Sequence, residues 1–350
     1  MSSLSSRPSL PLALSTMAIG SVPYDEPGLP LDLMAKCLDI PTSPQMVRIS
    51  PWEDMILGAV SGLPALEVNE NRVVTVIGPG REEALTEFYE KFYAGDLDYF
   101  ALEERAALGF KAFLEKAKAD QSFGPSFLKS QVVGPLTFGQ SVKVDGQKSL
   151  IDSPELLEAI SLGIGAKAAW LGKKIRQLGR SAIVFIDEPG LTGYGSAFST
   201  LTPQMVVDSL GSAVKAAKDH GEVLIGCHVC GNTDWGLLSG VGLDILNFDA
   251  YEFLPTVCLY PREIRAFLEE GGALAFGIVP TNDFSDQIKA EHLAKMVKDG
   301  WQVLANKGLK TELLVERTFL TSACGLGTLA PEKATAILEI LPRIAQILKS

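Results

Sequence analysis

Three residues of this chain have the chemistry and spacing to hold a metal ion. His228 and Cys230 stand two apart, just past the apolar run EVLIGC at 222–227. On an extended segment, residues i and i+2 point to the same side, so imidazole and thiolate face one ion while Cys227 turns away. Zinc takes nitrogen and sulfur ligands in a tetrahedron, and a catalytic zinc keeps one position open. Cys324, in SACGLG at 322–327, is the candidate third ligand. The alternative is that Cys230 and Cys324 are ordinary buried thiols, since free cysteine is a common core residue. Asp249 closes the run DILNF and has three readings: fourth ligand, partner that orients His228, or plain rim carboxylate. Asp187-Glu188-Pro189 closes the run SAIVFI. A carboxylate buried there without a partner is costly. Asp187 is therefore expected to face an opening, where it could bind a substrate ammonium or a neighbouring loop.

A scaffold must bring these distant residues together. Short apolar runs alternate with helical stretches along the chain. Residues 12–19 read as a buried first strand and 45–50 as a weaker second. Residues 65–77 read as a hairpin around Asn69-Glu70-Asn71, followed by helices near 81–93 and 101–118. Further strands are expected at 129–133, 181–186, 222–227, 244–248, 273–278 and 311–315. Helices are expected at 154–178 (capped by Ser153), from Thr202-Pro203 to 220, after Thr233, and at 261–270, 285–306 and 331–349. Roughly eight strands separated by helices predict an α/β chain folded as a single (β/α)8 TIM barrel over 12–350. Residues 1–11 would be a flexible N-terminal segment, and a β-hairpin/helical insertion would separate strands 2 and 3. A doubly wound open sheet is the alternative, but neither a dinucleotide fingerprint nor a phosphate-binding loop is present. In a parallel barrel the chemistry sits at the C-terminal ends of the strands. That rule gathers Gly20-Ser21, Gly134-Pro135, Asp187-Glu188, His228, Cys230, Asp249, Glu316 and Cys324 on one rim.

Composition limits the partners. The 350 residues carry 31 Lys+Arg against 42 Asp+Glu, a net charge of −11. Nucleic acids and anionic membrane surfaces need a basic face, so neither is an expected partner. Five cysteines, an odd number in a long chain, suggest reduced thiols in the cytoplasm rather than a disulfide framework. Only three histidines are present, which excludes any chemistry needing several. No apolar run reaches the ~18 residues of a spanning helix. Arg7 and the short run at 10–14 loosely suggest a signal peptide, but Pro11 breaks the run and no cleavage pattern follows.

Six stretches in order, TMAIGSVP (16–23), SQVVGPLTFG (130–139), FIDEPGL (185–191), HVCGN (228–232), DILNFD (244–249) and SACGLG (322–327), cover nearly the whole chain. They resemble the superfamily of cobalamin-independent methionine synthases and uroporphyrinogen-decarboxylase-like methyltransferases. The resemblance implies a (β/α)8 barrel and a catalytic zinc held by His228, Cys230 and Cys324, with Asp249 or Glu252 as an acidic fourth ligand. It places Gly20 and Ser21 at the carboxylate of homocysteine and Asp187 at its amine, with Glu188 counted among the substrate-binding residues. The implied activity is methyl transfer to a thiol, homocysteine giving methionine, with a methyl-folate or a methylated corrinoid protein as donor.

The chain also departs from that pattern. The full synthases have two barrels and only the second is represented, so the sequence looks like a stand-alone catalytic core. The family's histidine after the seventh strand is missing, and that loop reads Val279-Pro280-Thr281-Asn282-Asp283. HxCGN is also similar to the methylcobalamin:coenzyme M methyltransferases, which makes another thiol an alternative acceptor. A decarboxylase of porphyrinogen-like substrates would need basic groups for several carboxylates, and few arginines reach the expected rim. A non-enzymatic zinc-buffering or scaffold protein on a corrinoid carrier is the third reading.

Overall fold

Strands covered on both faces read as near-continuous apolar runs, and such runs supply the centre of this molecule. The computed structural model describes residues 10, 13–144, 148–196, 199–285 and 287–350; apart from Leu10, the expected N-terminal segment 1–11 lies outside them. Helix α1 (Gly28–Cys37) comes first, then the hairpin β1 (Leu66–Val68) and β2 (Val74–Val76), then α2 (Arg81–Tyr93) and α3 (Leu108–Ala119). Next come β3 (Phe127–Val133), α4 (Pro135–Ser141), β4 (Lys143–Val144), β5 (Lys148–Ser149), α5 (Pro154–Arg176), β6 (Ser181–Asp187) and α6 (Pro203–His220). The chain continues through β7 (Leu224–Val229), α7 (Trp235–Ser239), β8 (Ile245–Asp249), α8 (Ala250–Val257) and α9 (Pro261–Glu269). It closes with β9 (Ala273–Val279), α10 (Ala290–Asn306), α11 (Thr311–Glu316), β10 (Thr318–Ser322) and α12 (Pro331–Lys349).

Six strands form a curled, all-parallel sheet in the order β10-β9-β8-β7-β6-β3. Both edges are joined to segments with no regular strand. At the β10 edge Thr16 bridges Leu320, and the amides of Leu14 and Met17 donate to Thr318 and Leu320 carbonyls at 2.7 and 3.1 Å. At the β3 edge Thr42 bridges Lys129. Between the two segments the Ile40 amide donates to the Thr16 carbonyl at 3.0 Å. Met17 and Ile40 pack inside the curl with Phe185, Ile245, Ala275 and Phe319. Helices bury their apolar faces against the outer side.

The strand expected at 12–19 is thus a buried segment with isolated bridges (its first residue, Leu12, is not described). The second, expected at 45–50, lies upstream: Thr42 and Gln45 bridge, while 47–49 form a turn. Pro41 and Pro44 have no N–H to donate, which keeps this ladder short. The strand expected at 311–315 is helix α11. Its Glu and Leu residues are good helix formers, while the β-branched and aromatic run Thr318–Ser322 takes the strand. Glu316 therefore precedes the last strand and does not stand at its exit. The helix expected at 101–118 is shortened to α3. The cap expected at Ser153 makes no side-chain bond, whereas Thr202 accepts from the Met205 amide. The hairpin β1–β2 forms as expected and also joins β4 and β5 in a second small sheet. No described helix is long and apolar enough to cross a membrane.

Candidate metal centre

The β7 strand carries His228 inward, in register with Asp187 on β6 and Asn247 on β8. Cys230 follows immediately after β7, where Gly231 passes Thr192 too closely for a side chain: a Cβ there would lie 2.3 Å from Thr192 Cγ2. Cys324 leaves β10 after the register with β9 slips between Thr321 and Ser322. A slip of this kind re-aims the residues beyond it. The ligand atoms of His228, Cys230 and Cys324 lie within 4.8 Å of one another, the one such group of three among the described residues. His228 is buried and both cysteines are half-buried. All five cysteines are free thiols, and Cys227 is buried on the opposite face.

The two thiols are pushed in opposite directions. The hydrogen bond from Cys324, helped by His228, pulls Cys230 down to about 4. The same bond, with burial, holds the Cys324 thiol far above its ordinary range. Burial opposes charge on His228, but Cys230 and Asp187 outweigh it and raise its pKa. His228 Nδ1 bonds Asn247 Oδ1, while Nε2 is buried without a partner. One orphaned imidazole nitrogen beside a thiol and a thiolate is a donor set that fits zinc.

The carboxylates divide. Asp187, expected to face an opening, is only 4% exposed, and its Oδ1 has no hydrogen-bond partner. Burial pushes it up to about 6, against the pull of Lys129 and His228. Glu188, expected among the substrate-binding residues, is engaged elsewhere. Its oxygens accept from the Leu136 amide (3.0 Å), the Thr137 amide (2.8 Å) and the Thr137 hydroxyl (2.6 Å), so it caps the start of α4. Gly134 makes room for it: a Cβ there would sit 2.1 Å from Glu188 Cδ. Asp249 stands outside the ligand group, and its carboxylate caps α8 by accepting from the Glu252 amide at 2.9 Å. Burial pushes Asp249 up to about 6. Glu252 is exposed and also outside the group. The partner that bonds His228 is Asn247 rather than Asp249.

Gly20 and Ser21 lie against the loop that bears Cys324. The Ser21 carbonyl accepts from the Leu326 amide at 2.9 Å, and its hydroxyl accepts from the Gly327 amide at 3.3 Å. Gly20 packs on Gln131, where a Cβ would come within 2.6 Å of the amide carbon. Sequence reasoning did not single out the polar residues beneath this layer. Lys129 is fully buried, donates to Ile19 O and to Gln131 Oε1 (3.2 Å), and lies 4.4 Å from the centre of the Phe185 ring. Burial pulls it down to about 7, and Asp187 works against that. The available signal was polarity at i and i+2 in KSQVV and at Asn247 in DILNFD, inside otherwise apolar strands.

No protein-family model and no curated protein matches the chain. Among solved structures it is similar to a B12-independent methionine synthase from Shewanella sp. W3-18-1 in complex with selenomethionine. The TM-score is 0.59 at 17% identity, over 96% of this chain and 98% of that one. A GH113 β-1,4-mannanase superposes more loosely, with a TM-score of 0.42 at 10% identity over 97% and 100% of the two chains. The first likeness shows a fold shared over nearly the full length of both molecules.

Proposed function

We propose that this protein transfers a methyl group to a thiol in a zinc-dependent reaction, with homocysteine as acceptor and methionine as product. The observation that carries the reading is the close group of His228, Cys230 and Cys324, with His228 Nε2 buried and unpartnered. Those three side chains would hold the ion. When bound, zinc would keep an incoming thiol deprotonated at neutral pH. The chain's own residues do the rest. Asp187 Oδ1, buried and unpartnered, accepts from the substrate ammonium, and the Gly20-Ser21 turn beside the Cys324 loop faces its carboxylate. Coenzyme M has no amine to satisfy Asp187, which favours an amino-acid thiol. The shared fold with a methionine synthase, bound to selenomethionine in that structure, supports the same choice. The methyl donor is a methyl-folate or a methylated corrinoid protein, and the working location is a compartment that keeps thiols reduced, the cytoplasm. The segments at 14–19 and 40–45 take the places of the first two strands of an eight-strand barrel.

Zinc-reloaded protein is expected to hold about one zinc per chain and to form methionine from homocysteine and free methylcobalamin. Cys324→Ser should lower both metal content and turnover, by more than the ~10–100-fold that loss of an outer partner costs. A metal content near zero in reloaded protein, or an unchanged Cys324→Ser variant, would overturn the reading.

A further inference from the structure

His228 has two ring nitrogens, and a neighbouring amide decides which of them is free. Asn247 is fully buried on β8, beside His228 in register. Its amide nitrogen donates to the Ala275 carbonyl and to Thr321 Oγ1, both at 2.9 Å. The Thr321 hydroxyl directs its one proton to the Ser322 carbonyl at 2.8 Å, so it can only accept from Asn247. Turning the amide over would set its oxygen against the Ala275 carbonyl, two acceptors face to face. The Asn247 oxygen therefore points at His228 Nδ1, which must carry a proton and donate it. In the neutral ring, the form that binds a metal, Nε2 then carries the lone pair, and it is the buried ring nitrogen without a partner. The network also reaches the other ligand strand, because Ser322 Oγ donates to the Cys324 carbonyl at 2.8 Å.

We propose that Asn247 is the positioning residue of the metal centre. It holds His228 as the Nδ1–H tautomer, makes Nε2 the ligand atom, and ties the strand bearing His228 to the strand that leads to Cys324. This inference rests on the zinc reading above. A histidine ligand commonly gives its second N–H to an outer acceptor, which fixes the ring and raises ligand basicity. Here the acceptor is a neutral amide whose orientation is set by two further strands, β9 and β10.

The test is nitrogen-15 NMR of zinc-loaded protein labelled at histidine, together with zinc affinity by chelator competition. In the unsubstituted protein, His228 should keep a slowly exchanging proton on Nδ1 and bind metal through Nε2. Asn247→Leu should lose that protected proton and weaken zinc binding by about 10–100-fold. Thr321→Val keeps the shape of the site and frees one side of the amide, for a loss of about fivefold, near the worth of one hydrogen bond. Because Thr321→Val leaves the Asn247 oxygen and its bond to Ala275 in place, it keeps the assignment testable even if the leucine variant fails to fold. Metal on Nδ1 in the unsubstituted protein, or Asn247→Leu and Thr321→Val variants that bind zinc like it, would overturn the assignment and leave the zinc reading standing. Unsubstituted protein that binds no zinc would overturn both.

Discussion

Adjacent carboxylates at the end of β6 do opposite work because their surroundings differ. Glu188 is saturated with donors from the start of α4. Asp187 keeps one buried oxygen with none. An unsatisfied buried acceptor is costly unless something arrives to fill it. Two substitutions should separate the roles. Asp187→Asn removes the charge an ammonium would meet, and KM for homocysteine is expected to rise about 10–100-fold, the range for a charged hydrogen bond. Zinc content should not change. Glu188→Ala leaves three donors of α4 unpaired, and should lower stability by about 3 kcal/mol in urea titration. Steady-state kinetics and unfolding curves on the same pair of variants check both. A KM unchanged in Asp187→Asn would remove Asp187 from substrate binding. His228 and Cys230 could be singled out in the sequence because residues i and i+2 of an extended segment face one side, and Cys324 because the expected last strand ends near it; that the three side chains meet is read from the structure. Asn247 and Lys129 could not be singled out, since a polar residue inside an apolar strand reads equally well as a tolerated exception.

At the scale of elements, the order of strands and helices was readable wherever periodicity and caps agreed. Helices α2 and α12 span the expected residues, with glutamates opening the first and Pro331 the second. The reading failed where two signals competed over a few residues. TELLV carries β-like apolar content, yet its glutamate and leucines favour the short helix α11, and the strand begins beyond it. The insertion between Gln45 and β3 was visible as a hairpin, but not what fastens it. Lys167, fully buried on α5, donates to the Ser61 and Phe100 carbonyls at 2.7 and 2.9 Å. Burial pulls it down to about 7, with Glu103 acting against that. An unfolded lysine titrates near 10.4. Between pH 7 and about 10.4 the unfolded chain therefore binds at this lysine a proton that the folded chain has released, and this group's contribution to stability should rise with pH. Below pH 7 both states are charged and the cost of burying the ammonium is fully present. Lys129 has a shift in the same direction, while the buried thiols of Cys37, Cys227 and Cys258, held above their ordinary range, act oppositely above about pH 8.5, so the Lys167 share is read as the difference between the two proteins, up to about 1.4 kcal/mol per pH unit lost in Lys167→Met. Urea midpoints at pH 7 and pH 9.5 for both proteins measure it. Equal slopes would mean that Lys167 does not titrate in that window.

For the whole molecule, the weak place is where the curled sheet meets the N-terminal segments. Six strands share continuous parallel ladders, while 14–19 and 40–45 hold on through isolated bridges at Thr16, Ser21, Thr42 and Gln45. Those segments are nevertheless buried, with Met17 and Ile40 inside the curl. Packing adds to an interrupted set of backbone hydrogen bonds in holding them there. Regions with few cooperative hydrogen bonds open locally at lower free energy than the core. The amides of Met17 and Ile40 should then exchange with solvent at least about tenfold faster than those of Val184, Ile225 and Leu246. The same seam touches the metal centre, because the Leu326 and Gly327 amides of the Cys324 loop both donate to Ser21. A ligand that binds only the closed form stabilises it by mass action. Zinc loading should therefore slow exchange more at Met17 and Leu326 than at Ile225, which the ladder already protects. Hydrogen-exchange mass spectrometry or NMR on metal-free and loaded protein reads both effects. Uniform protection across the seam and the ladder would show that these segments are held as firmly as the strands, and that the Cys324 loop owes nothing to their closure.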